Sequence, residues 1–182
     1  MNVTLNQGEI RPVPPDIKEA MRHLTGGISI ITAGVGDDRT GLTVTTAHSL
    51  SVEPPIMIIG VNRKSSGYST IRKYGNFCVN VLSGHQRQVA ERFSGVGGIK
   101  GKDRYAGSTW SVLATGALAL DGAIANIDCE VDEVLDRYSH GIFLGVVREV
   151  RFGDLLENQL VYQRNSYGAY PAGPLLREAI TP

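Results

Sequence analysis

The chain has 182 residues, about one domain, and its 18 Lys plus Arg balance 18 Asp plus Glu. That zero net charge leaves no basic surplus for a nucleic-acid backbone or an anionic membrane surface. Hydrophobic residues at 42% and charged ones at 20% exclude a disordered chain or a coiled coil, and a domain of this size needs no disulfide or metal staple.

Residues 1–15 read as a flexible lead-in closed by Pro12, Pro14 and Pro15. Met1 to Arg11 is polar and lacks the apolar centre of a signal peptide. No run approaches the ~18 apolar residues of a membrane span, so a cytoplasmic location is expected. Asp16 is placed to cap a helix, with Glu19 reaching back to it. Ile17, Ala20, Met21 and Leu24 then form one apolar face, and Gly26-Gly27 stops the helix.

Strands follow. Ile28 to Val35 is β-branched, Gly36 to Arg39 reads as a hairpin turn, and Gly41 to Ala47 is a Thr-rich second strand. Ile56 to Val61 is a third, starting after Pro54-Pro55 because proline cannot join a ladder. Gly67 to Tyr74 reads as a helix ended by Gly75-Asn76, Phe77 to Leu82 as a buried strand, and Gln86 to Phe93 as a helix with Val89 and Phe93 on one face. The five glycines of 94–108 mark a loop, with mobility expected. In Ala125 to Val131, Ile127, Cys129 and Val131 alternate with Asn126, Asp128 and Glu130, predicting a half-exposed antiparallel strand. Ile142 to Val150 is another strand and Val161 to Arg164 the last, before a tail at 171–182.

Six or seven strands with few helices between them argue against βαβ units. They predict a mainly β fold, an antiparallel barrel with peripheral helices, in one domain over 16–170. Cys78 and Cys129 sit in apolar runs and are expected to be buried free thiols, as in a reducing compartment.

Gly34-Val35-Gly36-Asp37-Asp38-Arg39 starts like a dinucleotide fingerprint but ends in Arg and falls in a hairpin turn. Gly101-Lys102-Asp103 lacks the first glycine and the hydroxyl residue of a P-loop. His23, His48, His85 and His140 have no metal-ligand spacing, so no metal is expected.

Three segments carry chemistry. From Gly41 to Pro55, small hydroxyl residues cluster where a strand leaves the barrel. There main-chain N–H groups and Thr or Ser hydroxyls could bond the polar edge of a flat heteroaromatic ring. Thr also favours strands for its own sake. From Asn62 to Thr70, Arg63, Lys64, Ser65 and Ser66 lead into a helix start. This is a phosphate seat by its charges and free N–H groups, or else an ordinary capped turn. Together the two segments suit a ring-plus-phosphate ligand. In Ser139 to Val146, Gly141 and Gly145 would let a planar ligand approach near His140.

Five of these stretches resemble, in order and spacing, the flavin reductase-like, FMN-binding split-barrel family, in particular the short-chain reductases of two-component monooxygenases. They are Met21 to Thr32; the turn ending Leu50-Ser51-Val52-Glu53-Pro54-Pro55; Asn76 to Leu82; Gln88 to Phe93; and Val161 to Tyr167. The resemblance implies a homodimeric antiparallel split barrel and hydride transfer from NADH or NADPH to FMN or FAD, with a flavin-dependent monooxygenase as partner. It implies that Thr45, Thr46, Ala47, His48 and Ser51 line the flavin ring and ribityl chain. Asn62, Lys64, Ser65 and Ser66 then seat the phosphate, and Arg92 and Phe93 close over the flavin. His140 matches the His of a Gly-Asp-His motif at the nicotinamide, although Ser139 stands where that motif has Asp. Arg164 and Tyr167 match a C-terminal motif at the same pocket. The alternative within the resemblance is a protein with prosthetic FMN that reduces a corrinoid or metal chelate, or that works without NAD(P)H turnover.

Overall fold

A computed structural model describes residues 14–173. Most of the expected lead-in, and the tail from residue 174, lie outside the described residues.

The described residues form twelve strands and three α-helices. α1 (Ile17–Arg22) leads into β1 (Gly26–Gly27), β2 (Ser29–Ala33), β3 (Thr40–Val44), β4 (Ala47–Ser51) and β5 (Ile56–Asn62). α2 (Ser66–Tyr74), β6 (Asn76–Val81) and α3 (Arg87–Phe93) follow. The chain then runs through a short hairpin of β7 (Trp110–Val112) and β8 (Leu118–Leu120), the long β9 (Ala125–Arg137) and β10 (His140–Phe152), and finally β11 (Gln159–Gln163) and β12 (Ser166–Tyr170).

Seven strands form one antiparallel sheet in the order β3-β2-β6-β9-β10-β5-β4. Its two outer strands, β3 and β4, are neighbours in sequence and are separated by Thr45 and Thr46 alone. Laid flat, seven strands would hold their outer members about 29 Å apart. Three Cα steps reach at most about 11 Å. The sheet therefore curls until its edges meet, yet among the described residues no ladder joins β3 to β4. The result is a barrel split along one seam. This corrects the expectation of one continuous strand over Gly41 to Ala47, because the Thr-rich run breaks at Thr45 to cross the seam.

β2 is buried on both faces, so the adjacent Ile30 and Ile31 each enter a core. Ile31 joins Val44, Ile59, Phe77 and Phe143 inside the barrel, where α2 contributes Ile71. Ile28 and Ile30 pack on the other side with Phe93, Tyr105, Leu120 and Leu160. A separate three-stranded sheet, β1-β11-β12, flanks this second cluster.

Several sequence expectations change. Over Ala125 to Val131 the polar face of β9 is exposed only at Glu130: Asn126 and Asp128 are buried beneath the β7–β8 hairpin, which the sequence pattern does not reveal. Asn80 Oδ1 accepts from Leu120 N at 2.7 Å and Asn126 Nδ2 at 2.8 Å. The Asp128 carboxylate accepts from Thr115 N at 2.7 Å and Thr115 Oγ1 at 2.6 Å. α1 buries none of its residues; Met21 is 60% and Leu24 71% exposed. Asp16 makes no side-chain cap, and Glu19 pairs with Arg22 at 2.8 Å instead. The 94–108 loop is anchored through buried Tyr105, whose hydroxyl donates to Thr40 O at 2.6 Å. β12 was also missed, so the last strand is a hairpin. Cys78 and Cys129 are free and buried as expected, and burial pushes the Cys129 thiol up to about 12.

Candidate functional site

The seam creates the site. Thr45 and Thr46 belong to no ladder, and among the described residues their main-chain N–H groups donate to no protein acceptor. The Thr46 hydroxyl donates to Gly60 O of β5 at 3.1 Å, which pins the crossing to the sheet. Gly26 of β1 comes so close that a Cβ there would lie 2.7 Å from Thr45 Cβ. Thr45, Thr46 and His48 line a cleft of ≈ 540 Å³, whose opposite wall is α1 with the β11–β12 turn. A smaller hollow of ≈ 220 Å³ shares Thr45 and Tyr162 with it and extends to Ser94 after α3. Ala47 turns inward and packs on the barrel core.

The second element is the start of α2. Ser65 caps it, accepting from Tyr68 N at 3.3 Å while donating to Asn62 O at 2.7 Å. Asn62 Oδ1 accepts from Lys64 N at 2.9 Å. Ser66 Oγ lies 3.1 Å from Thr40 Oγ1 of β3. The N–H groups of Ser66 and Gly67 open the helix and have no acceptor within it. Arg63 donates to Tyr138 O at 3.4 Å, and among the described residues neither Arg63 nor Lys64 has an acidic partner. The positive end of the helix and two free cations therefore point to anion binding.

Sheet register sets these two elements side by side. Thr46 bonds Gly60, and Asn62 is two residues further along β5, about 7 Å. Asn62 is in turn the Cα partner of His140 at the start of β10. His140 is exposed, and its Nδ1 is 2.9 Å from Ser139 Oγ.

The other expected residues are placed differently. Ser51 is at the far end of β4, donating to Pro54 O, outside the cleft. Phe93 is fully buried, edge-on to Tyr105 at 5.1 Å and against Gly41 of β3, so it backs the site rather than covering it. Arg92 is half-buried with its guanidinium against Gly107. Arg164 does line the cleft, held at φ 50 in the β11–β12 turn with its N–H bonded to Arg22 O at 2.8 Å. Tyr167 stands behind Tyr162, centroids 5.2 Å apart, and burial raises its hydroxyl pKa. Within one chain, Arg164 thus belongs to the cleft and His140 to the helix-start side. Sequence reasoning missed Met21, Leu24 and Tyr162 as cleft walls; the only signal was an apolar helix face that the core does not use.

The donor set fits a flat ring with an acceptor edge and an anionic tail. Free main-chain N–H groups and Thr hydroxyls lie at one end, and a cationic helix start at the other.

A family model described as a flavin reductase like domain matches residues 21–171. An FMN reductase (NADH) RutF of Stutzerimonas stutzeri (strain A1501) is 30% identical over 165 residues, covering 91% of this chain and 94% of the relative. The 4-hydroxyphenylacetate 3-monooxygenase reductase component of Pseudomonas aeruginosa is 29% identical over 143 residues, 79% of this chain and 84% of the relative. The crystal structure of a homolog of nitrilotriacetate monooxygenase component B, from Mycobacterium thermoresistibile, superimposes with a TM-score of 0.76 at 28% identity. It spans 90% of this chain and 87% of its own.

Proposed function

The chain belongs to the flavin reductase-like domain family, and from that premise we propose that it is an NAD(P)H-dependent flavin reductase. It takes a hydride from a reduced nicotinamide to FMN or FAD. The observation that carries this reading is the cleft at the barrel seam, with free N–H groups at Thr45 and Thr46 and the α2 start alongside.

A bound flavin supplies the ring that accepts the hydride. The protein's own task would then be alignment, because hydride transfer between two aligned rings needs no catalytic acid, base or nucleophile. Thr45, Thr46 and His48 would hold the ring, with Ala47 contributing its main chain, and the unbonded N–H groups at the seam would stabilise negative charge along its acceptor edge. Asn62, Lys64, Ser65 and Ser66 hold the phosphate, with Arg63 adding charge. Phe93 keeps β3 in place from behind through its packing on Gly41. His140, Arg164 and Tyr167 are assigned to the nicotinamide side.

The relatives' names favour FMN and NADH, and the monooxygenase components among them favour an oxygenase as recipient of the reduced flavin. We take the working form to be a cytoplasmic homodimer; the two free buried thiols suit a reducing compartment. The test is rapid mixing of the protein with NADH and FMN. Loss of the flavin's visible absorbance at a rate that scales with protein concentration supports the activity. A rate equal to the protein-free mixture, with NADPH and FAD also tried, refutes it.

A further inference from the structure

A second groove, of ≈ 670 Å³, lies on the other side of β3 between the β2–β3 turn, the 101–105 segment and the β7–β8 hairpin. Its volume is in the ordinary range for small-ligand sites. None of its lining residues belongs to the seam cleft.

Arg39 is its most unusual feature. The side chain is half-buried, its guanidinium sits 5.2 Å from the centroid of the Tyr105 ring, and its Nε is buried without a hydrogen-bond partner. Two acids precede it in the turn, and both are engaged elsewhere. Asp37 accepts from Lys102 at 3.0 Å, and Asp38 accepts from Lys73 and, at 2.7 Å, from the Tyr74 hydroxyl. A guanidinium is always charged and offers donors in a planar fork. Half-desolvated and with no acid paired to it among the described residues, the guanidinium would gain from an incoming carboxylate at the nitrogens that face the groove.

The rest of the groove selects among anions. Trp110 and Leu118 line it together with the Tyr105 ring, and the Trp110 indole N–H is already donated to Tyr105 O at 2.9 Å. These surfaces therefore offer apolar and aromatic contact. Asp37 is paired with Lys102 on the rim, and Asp103 adds a negative charge. Arg39 is thus the one lining cation without an acidic partner among the described residues, which suits a monoanion and disfavours a dianion such as a phosphate monoester. We propose that this groove is a second ligand site, taking a small aromatic carboxylate whose carboxyl group is gripped by Arg39 and whose ring rests against Tyr105 and Trp110.

Trp110 is the one tryptophan of the chain, so its fluorescence reports on this groove. Benzoate added to the protein as purified is expected to change that fluorescence saturably. The affinity should drop about tenfold or more in Arg39→Met, the scale of a lost charge-assisted pair. Ser108→Phe, which fills the groove and leaves Arg39 in place, should weaken binding similarly. In the wild-type protein, a proton–nitrogen correlation spectrum should show the Arg39 Nε–H and Trp110 Nε1–H signals moving together with benzoate. No saturable response, unmoved Arg39 and Trp110 signals, or unchanged affinity in a folded variant each overturns the site. Inorganic phosphate binding more tightly than benzoate overturns the assigned class. The flavin-bleaching assay is independent of all of these readings.

Discussion

Lys64 illustrates how one residue's worth depends on its neighbours. It is exposed, and its only hydrogen bond among the described residues is a main-chain one to Asn62 Oδ1. Its charge therefore acts on whatever anion approaches the α2 start, not on the fold. Lys64→Ala is expected to weaken FMN binding about fivefold, a modest figure because the site is open to screening water. Riboflavin, which lacks the phosphate, should bind both forms equally. Titrations of both flavins by fluorescence quenching check this, and an equal loss for riboflavin would assign Lys64 to the ring instead. Asp128 is the opposite case, a buried carboxylate with no cation against it. Burial pushes its pKa above the ordinary 3.8, against the opposing pull of the Thr115 hydroxyl and N–H. A carboxyl raised in the folded state is harmless below the unfolded pKa, and it subtracts stability as pH climbs from there through the folded value. Asp128→Asn should thus raise the melting temperature at neutral pH and gain less in mild acid. Asp128→Ala should lower stability at both pH values, by about 1–3 kcal/mol, because the Thr115 donors lose their acceptor. Thermal unfolding at the two pH values distinguishes these outcomes.

At the scale of elements, β3 is the strand on which everything rests. Its Thr40 meets Ser66 of the helix start and its far end becomes the seam, while Gly41 sits where a Cβ would be 2.7 Å from Ile31 O and 2.6 Å from Phe93 Cε1. Main chain cannot yield as a side chain can. Gly41→Ala should therefore cost about 1–3 kcal/mol of stability and weaken flavin binding with it. Denaturant unfolding and a flavin titration on the same sample measure both, and a variant with native stability and affinity would show that β3 is not rigidly held. The same strand shows what the sequence could reveal. Runs of β-branched and apolar residues, with glycine and proline punctuation, make β2, β5, β6, β10, α2 and α3 legible, because those signals are local. The break at Thr45 was not legible, because threonine suits a strand and a seam crossing equally. The polar face of β9 read as exposed because Asn126 and Asp128 are ordinary surface residues. Only the β7–β8 hairpin, packed on them from elsewhere in the chain, makes them core. α1 was misjudged for the converse reason: its apolar period is real, but it faces the cleft and solvent.

For the whole molecule the open seam raises a question of exposure. A closed barrel removes its edges, whereas this one leaves β3 and β4 without ladder partners along the split. β4 presents Leu50 at 54% exposure, and Val52 follows it at 81%. Two apolar side chains this bare at the end of an unpaired edge strand are a liability in a lone chain and an asset in a symmetric pair. The proposed homodimer would cover them. Because β4 begins at the seam, covering it would also stiffen Ala47 and His48 on the cleft wall. Light scattering of the wild-type protein should give twice the chain mass. The double variant Leu50→Asp with Val52→Asp should give a single chain mass that keeps its β-sheet circular dichroism but binds flavin more weakly. A wild-type protein that stays monomeric at every concentration defeats the dimer. A monomeric variant that binds flavin as well as the wild type keeps the dimer but severs its link to the cleft, leaving the seam to hold the ring with one chain's residues alone.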